Sequence, residues 1–226
     1  MSTKGWFYFL MVCSLVTACK KDDSYNSILQ IDGKLESYTS DNLRYVRFCK
    51  DPFTYDAVSI PYIEFGKSEI SNDGIFNIVS LATPPSNLLI RFDSIYGINI
   101  NVSDTSARAV IGTLLIFNSG YDNSSYDIGW ISKGFSLIPG ASVGSYWIEY
   151  IYVNKNVEIY GTGVHTEHSN LLGIDIITKY NCNLKLKTGW NQYVSMIIDK
   201  NGHDDTCSLF TEEPVDAKWL FNLTSK

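Results

Sequence analysis

The chain holds three histidines, and two of them fall within Gly163-Val-His165-Thr-Glu167-His168. Two imidazoles and a carboxylate could begin a metal site. Zinc peptidases place such ligands on one helical face, as H-E-x-x-H; here a glycine-flanked stretch fits the exposed polar tip of a hairpin, and no metal is expected. Asp199-Lys-Asn-Gly-His-Asp-Asp205 is rich enough in oxygen to suggest calcium. An EF-hand loop needs its glycine at the sixth place and a glutamate at the twelfth, whereas Gly202 stands fourth. A type I′ hairpin turn with solvated acids suits those residues better. Tyr121-Asp-Asn-Ser-Ser-Tyr-Asp127 is a second acidic polar loop.

Glycoside hydrolysis needs only two carboxylates at a fixed separation, supplied from anywhere in the chain. Glu64, Glu149 and Glu158 fall on predicted strands, where a glutamate on the wet face is ordinary. No G-x-S-x-G elbow, phosphate-cradling glycine loop or Cys/His catalytic pattern occurs. No catalytic residue and no cofactor is therefore assigned. Ligand contact is better placed on aromatic rings, which offer a flat apolar face with a polar edge. Tyr121, Tyr126 and Trp130 form the expected platform for a sugar ring or a protein partner. Trp147 and Trp190 are expected mainly in the core.

Strands must position these groups. In Tyr180-Asn-Cys-Asn-Leu-Lys-Leu-Lys187 the apolar residues alternate with polar ones, as in a half-buried strand. Turns at Thr188-Gly189 and Asn201-Gly202 then predict a three-strand antiparallel meander over residues 180–187, 190–199 and 206–210. Residues 145–153 and 157–161 form another strand pair around Asn154-Lys-Asn156. Residues 62–70 and 75–81 form one around Asn72-Asp-Gly74. Residues 107–117 are apolar on both parities, so that strand should be covered on both faces. Further strands are expected at 28–35, 43–49, 88–92 and 126–138, with turns at Thr83-Pro-Pro-Ser and Ile138-Pro-Gly-Ala. This spacing predicts an all-β, antiparallel, hairpin-rich domain that curls like a barrel, with a two-sheet sandwich as the alternative. A small N-terminal sheet within 28–85 is compatible with the Pro84-Pro85 break.

Cys49, Cys182 and Cys207 test that scheme. In a meander Cys182 and Cys207 stand two strands apart, about 9.5 Å, while a disulfide needs Cα atoms within about 7 Å. Small buried thiols are expected, although Cys49 is left free to pair with either.

Eighteen basic and 24 acidic residues give a net charge of −6. No basic stripe is available to neutralise phosphates along a nucleic acid. Aromatics make up 14% of the chain, fifteen of them tyrosine, which favours strands.

The first eighteen residues are of another kind. Lys4 precedes an apolar run, Trp6 to Val16, that is too short to span a bilayer. The run ends at Val16-Thr17-Ala18-Cys19, followed by Lys20-Lys-Asp-Asp23. This segment resembles the signal peptide and lipobox of bacterial lipoproteins. The resemblance implies cleavage after Ala18, acylation of Cys19 by palmitate-type chains and a polar tether through Ser27. Lysine directly after the cysteine, with the charged run behind it, resembles surface lipoproteins of Bacteroidota. That implies an outer-membrane, cell-surface location, with the membrane itself as a partner through the lipid. Asp93-Ser94-Ile95 likewise resembles the short O-glycosylation motif of that group's envelope proteins. The expectation for the whole is a lipid-anchored envelope module without catalysis, binding a glycan or a protein. A small glycoside hydrolase-like enzyme or a fimbria-like assembly subunit is the alternative.

Overall fold

The computed structural model describes residues 27–36, 38, 43–50, 63–118, 128–134, 142–169 and 173–223. The expected lipid site Cys19 and the platform tyrosines Tyr121 and Tyr126 lie outside these residues. In chain order the strands are β1 (Gln30–Lys34), β2 (Leu43–Lys50), β3 (Glu64–Glu69), β4 (Ile75–Val79), β5 (Asn101–Val102), β6 (Ala109–Asn118) and β7 (Ile128–Gly134). They continue with β8 (Tyr146–Val153), β9 (Val157–Ser169), β10 (Ile174–Leu186), β11 (Gly189–Asn201), β12 (Asp204–Phe210) and β13 (Lys218–Leu223). The apolar run at 88–92 forms no strand: a 3₁₀ turn (Ser86–Leu88) leads into it and a single helical turn, α1 (Asp93–Tyr96), follows it. Only Ile90 of that run enters a ladder, as a bridge to Ala109. Among the described residues no helix is long and apolar enough to cross a membrane.

The domain is all-β and mainly antiparallel. β1 and β4 form a two-stranded ribbon, and the large sheet runs β3-β2-β6-β7-β8-β11-β12-β10-β9-β5, with β13 on the far edge of β7. It curls but does not close, because its terminal strands β3 and β5 do not meet. β6 is covered on both faces, as its apolar parities require: Val110, Leu114 and Ile116 enter one core and Ala109 enters a second.

The predicted meander is corrected. β10 and β11 are consecutive and joined by a tight turn, yet they do not pair. β12 lies between them, antiparallel to β11 and parallel to β10. The expected hairpin at 145–161 is corrected in the same way: β8 pairs with β11, and β9 pairs with β10. Between Val153 and Val157 the chain can reach about 14 Å. In a flat sheet β8 and β9 would stand four spacings apart, about 19 Å. The sheet must therefore fold over, and the β8–β11 and β9–β10 ribbons enclose the second core between them. Val153, Val157, Leu184, Leu186 and Leu209 fill it.

Polar side chains replace the missing ladder where hairpin arms part. Asn191, buried on the inner face, accepts from the Lys187 N–H at 2.9 Å and donates to the Lys187 and Gly189 carbonyls at 2.7 and 2.9 Å. Asn156 accepts from the Thr188 N–H at 2.9 Å, tying one turn to the other. Between β3 and β4 the Ser68 hydroxyl accepts from the Asn77 N–H at 3.0 Å. The turn at Gly202-His203 does form a hairpin, closed by the Asn201–Asp204 pair. Gly202 has φ 67° and His203 is not left-handed, which fits type II′ rather than the expected type I′.

Candidate functional site

β9 carries the groups singled out in the sequence, but as a strand and not as a loop tip. Alternation puts His165 and His168 on opposite faces, so the two imidazoles cannot converge on one ion. His168 faces its cross-strand partner Asp175, with Nδ1 and Oδ1 2.7 Å apart. Among the described residues no three His, Cys, Asp or Glu side chains converge as a metal site. At the other proposed ion loop, Asp204 accepts from the Ile177 N–H at 2.9 Å and Asp205 lies 3.3 Å from the Lys200 ammonium. Asp204 thus ties the start of β12 to β10, and Asp205 braces the β11–β12 hairpin.

The three strand glutamates stand in three different settings. Glu64 meets Arg47 at 3.4 Å. Glu158 faces Lys185 across the outer side of β9 and β10. Glu149 points to the inner side of β8, where it accepts from the Trp147 indole N–H at 2.7 Å and from the Tyr193 hydroxyl. Tyr96 of α1 packs edge-on against Tyr193 and Tyr180 at 6.2 and 5.5 Å between ring centroids. Burial, and then the Glu149 charge, push the Tyr96 and Tyr193 hydroxyls well above the usual phenol range. Both phenols stay neutral, and Tyr193 is the one that donates to the carboxylate. This is an internal polar brace.

The cysteines follow from the same topology. Cys182 and Cys207 lie on neighbouring strands and not two apart, with Tyr180 opposite Cys207 and Cys182 opposite Leu209. That diagonal placement leaves Cα atoms about 7–8 Å apart, so both thiols are free, as expected, but for a different reason. Cys49 is also free and buried, at the back of β2 beside Leu115 and Phe117. Burial pushes Cys182 and Cys49 up to about 12 and Cys207 to about 11.

Of the aromatic platform, Trp130 sits in β7, paired with Leu115 of β6 and Asn222 of β13. Trp190 is buried, its indole N–H donating to the Ala82 carbonyl at 2.9 Å and its ring edge-on to Phe48. Trp147 is half-buried and committed to Glu149. Ser94 of the expected glycosylation motif is exposed on α1, while Ile95 is buried.

The outer face of β5, β9 and β10 presents a different constellation. Val157 and Ile159 turn inward, so Glu158 and Tyr160 turn out, and Tyr160 is 53% exposed. Its register partners are Asn101 on one side and Asn183 on the other, both exposed. Directly opposite residues share a face at about 5 Å, so the phenol ring is flanked by two side-chain amides. One rung along, Thr162 donates to the Asn181 amide oxygen at 3.1 Å. Beyond it, exposed Ile98 bridges to Val164. The ring, two amides, a hydroxyl and an aliphatic edge make a shallow, uncharged centre. Gly163 holds this strand close to α1, since a Cβ there would overlap the Tyr96 carbonyl. The alternation Val157-Glu-Ile-Tyr160 was visible in the sequence. The asparagines that flank Tyr160 were not, because β5 comes from a two-residue strand nearly sixty positions upstream.

No family model, no curated protein and no solved structure matches this chain.

Proposed function

We propose that the protein is a lipid-anchored cell-envelope module, tethered to the outer membrane at Cys19, that binds a glycan without catalysis on the outer face of β5, β9 and β10. The observation that carries this is exposed Tyr160 held between Asn101 and Asn183. A tyrosine face stacks on the C–H side of a sugar ring, and side-chain amides both donate to and accept from hydroxyls. Glu149 is engaged by Tyr193 and Trp147, and Glu64 and Glu158 are engaged elsewhere. The hydrolase alternative therefore has no acid pair to stand on among these residues. Tyr121, Tyr126 and Trp130 remain a second proposed contact.

The test uses the Cys19→Ala chain on a broad panel of envelope and dietary polysaccharides. Tyr160→Ala should abolish binding while moving stability by no more than about 0.5 kcal/mol, as for other exposed changes. Binding that is indifferent to Tyr160, or absent from the whole panel, would overturn the assignment. Palmitate labelling of wild type against Cys19→Ala tests the anchor separately.

A further inference from the structure

The first described residues fix where the tether leaves the domain. Ile28 donates its N–H to the Trp190 carbonyl at 2.7 Å, and Ser27 lies against Gly189. Gly189 opens β11 opposite Val153, so the chain emerges at the end that carries the turns 154–156 and 187–188. β11 then runs thirteen residues to the opposite end, about 40 Å at the rise of a strand. From Cys19 to Ser27 there are eight Cα steps, which reach no further than about 29 Å. An inverted domain, resting on its hairpin tip, would need a longer tether than the chain has.

Charge follows the same axis. Around the turns 154–156 and 187–188 stand Arg108, Lys155, Lys185 and Lys187 with Asp104 and Glu158, and the Arg91–Asp93 pair nearby adds one charge of each sign. Lys155 lies 3.5 Å from Asp104, and Lys185 lies 4.0 Å from Glu158. At the far end Glu167, Asp175, Asp199, Asp204 and Asp205 outnumber Lys179 and Lys200. The protein as a whole is acidic, with a net charge of −6, yet the end nearest its tether carries an excess of bases.

We infer that this basic end docks on the phosphate-bearing surface of the membrane that holds the lipid anchor. The acidic β11–β12 tip then points away, and the Tyr160 face stands along the side. The inference rests on the anchor proposed above. Lysine and arginine gain from an anionic lipid surface only within about a Debye length, and the short tether keeps them there. The tether and the charge therefore select the same orientation.

The experiment places a fluorophore at Thr105→Cys, near the tether, or at His203→Cys, at the tip. It uses the acylated full-length protein in phosphatidylcholine vesicles with phosphatidylglycerol and nitroxide-headgroup lipids. The three buried native thiols stay unlabelled. Quenching should be several-fold stronger at residue 105, and equal or reversed quenching overturns the orientation. In a second arm the acylated protein labelled at residue 105 is compared in vesicles lacking and containing phosphatidylglycerol. Lys155→Glu with Lys187→Glu should remove most of the phosphatidylglycerol-dependent part of the quenching. No dependence on lipid charge overturns the docking surface. A full-length protein that takes up no palmitate and leaves the vesicles in high salt instead removes the anchor itself.

Discussion

At the scale of single residues, the second core keeps ionisable groups in their neutral form by burial. Cys207 shows the consequence most clearly. Its thiol, ordinarily near 9, is pushed up to about 11 by burial first and the Glu149 charge second. The folded chain therefore holds this proton more tightly than the unfolded chain. Its stabilising contribution is complete below pH 9 and is lost as pH rises through 11. Urea midpoints under reducing conditions should fall between pH 8.5 and pH 11, and the fall should be shallower in Cys207→Ala. An equal slope in the two proteins would show that the thiol does not titrate as its burial demands. Glu149 is the inward carboxylate of the same core. An inward carboxylate is tolerated because an indole and a phenol donate to it, since an unpartnered buried charge costs several kcal/mol.

At the scale of elements, turns and partners are decided by different forces. Asn72-Asp-Gly74, Asn154-Lys-Asn156 and Thr188-Gly189 all turn the chain as local chemistry directs. Whether the arms then pair depends on what packs between them. β12 enters between β10 and β11, and Asn191 restores the backbone hydrogen bonds that the parted arms leave open at Lys187 and Gly189. Asn191→Ala should destabilise the fold by about 1–3 kcal/mol, because it takes the partner from part-buried backbone groups of Lys187 and Gly189. Chemical denaturation measures this directly; a loss below about 0.5 kcal/mol would mean that the brace is dispensable. The same splitting explains why a free Cys182 and Cys207 could be expected from a wrong strand order. Both the meander and the observed order place the sulfurs too far apart for a bridge.

At the scale of the whole molecule, β6, β8 and β11 each send alternate side chains into both cores. Ile148 and Tyr150 enter the first while Ile151 and Val153 enter the second; Val194 enters the first while Tyr193 and Ile197 enter the second. Neither core can open without dismantling strands of the other, so unfolding should be one transition. Phe48→Ala in the first core and Leu184→Ala in the second should each cost about 3–4 kcal/mol and shift the same single midpoint. Two separable transitions in urea would show that the cores are independent. Strand identity was legible from the amino-acid order because period-2 alternation is a local property of a half-buried backbone. The double apolar parity of β6 announced its burial on both faces for the same reason. The His165 strand reads as a loop because glycines at 161 and 163 are locally turn formers, whereas Gly163 serves close packing against α1. The sequence by itself thus determined most of the strands, most of the places where the chain turns, the acidic balance and the segment ending at Cys19, all of which depend on near neighbours in the chain. Only the tertiary structure decided which strands pair, which acids are engaged and which tyrosine faces outward between two asparagines. Those outcomes depend on long-range burial, and hydrophobic contact does not record in the local sequence which partner supplies it.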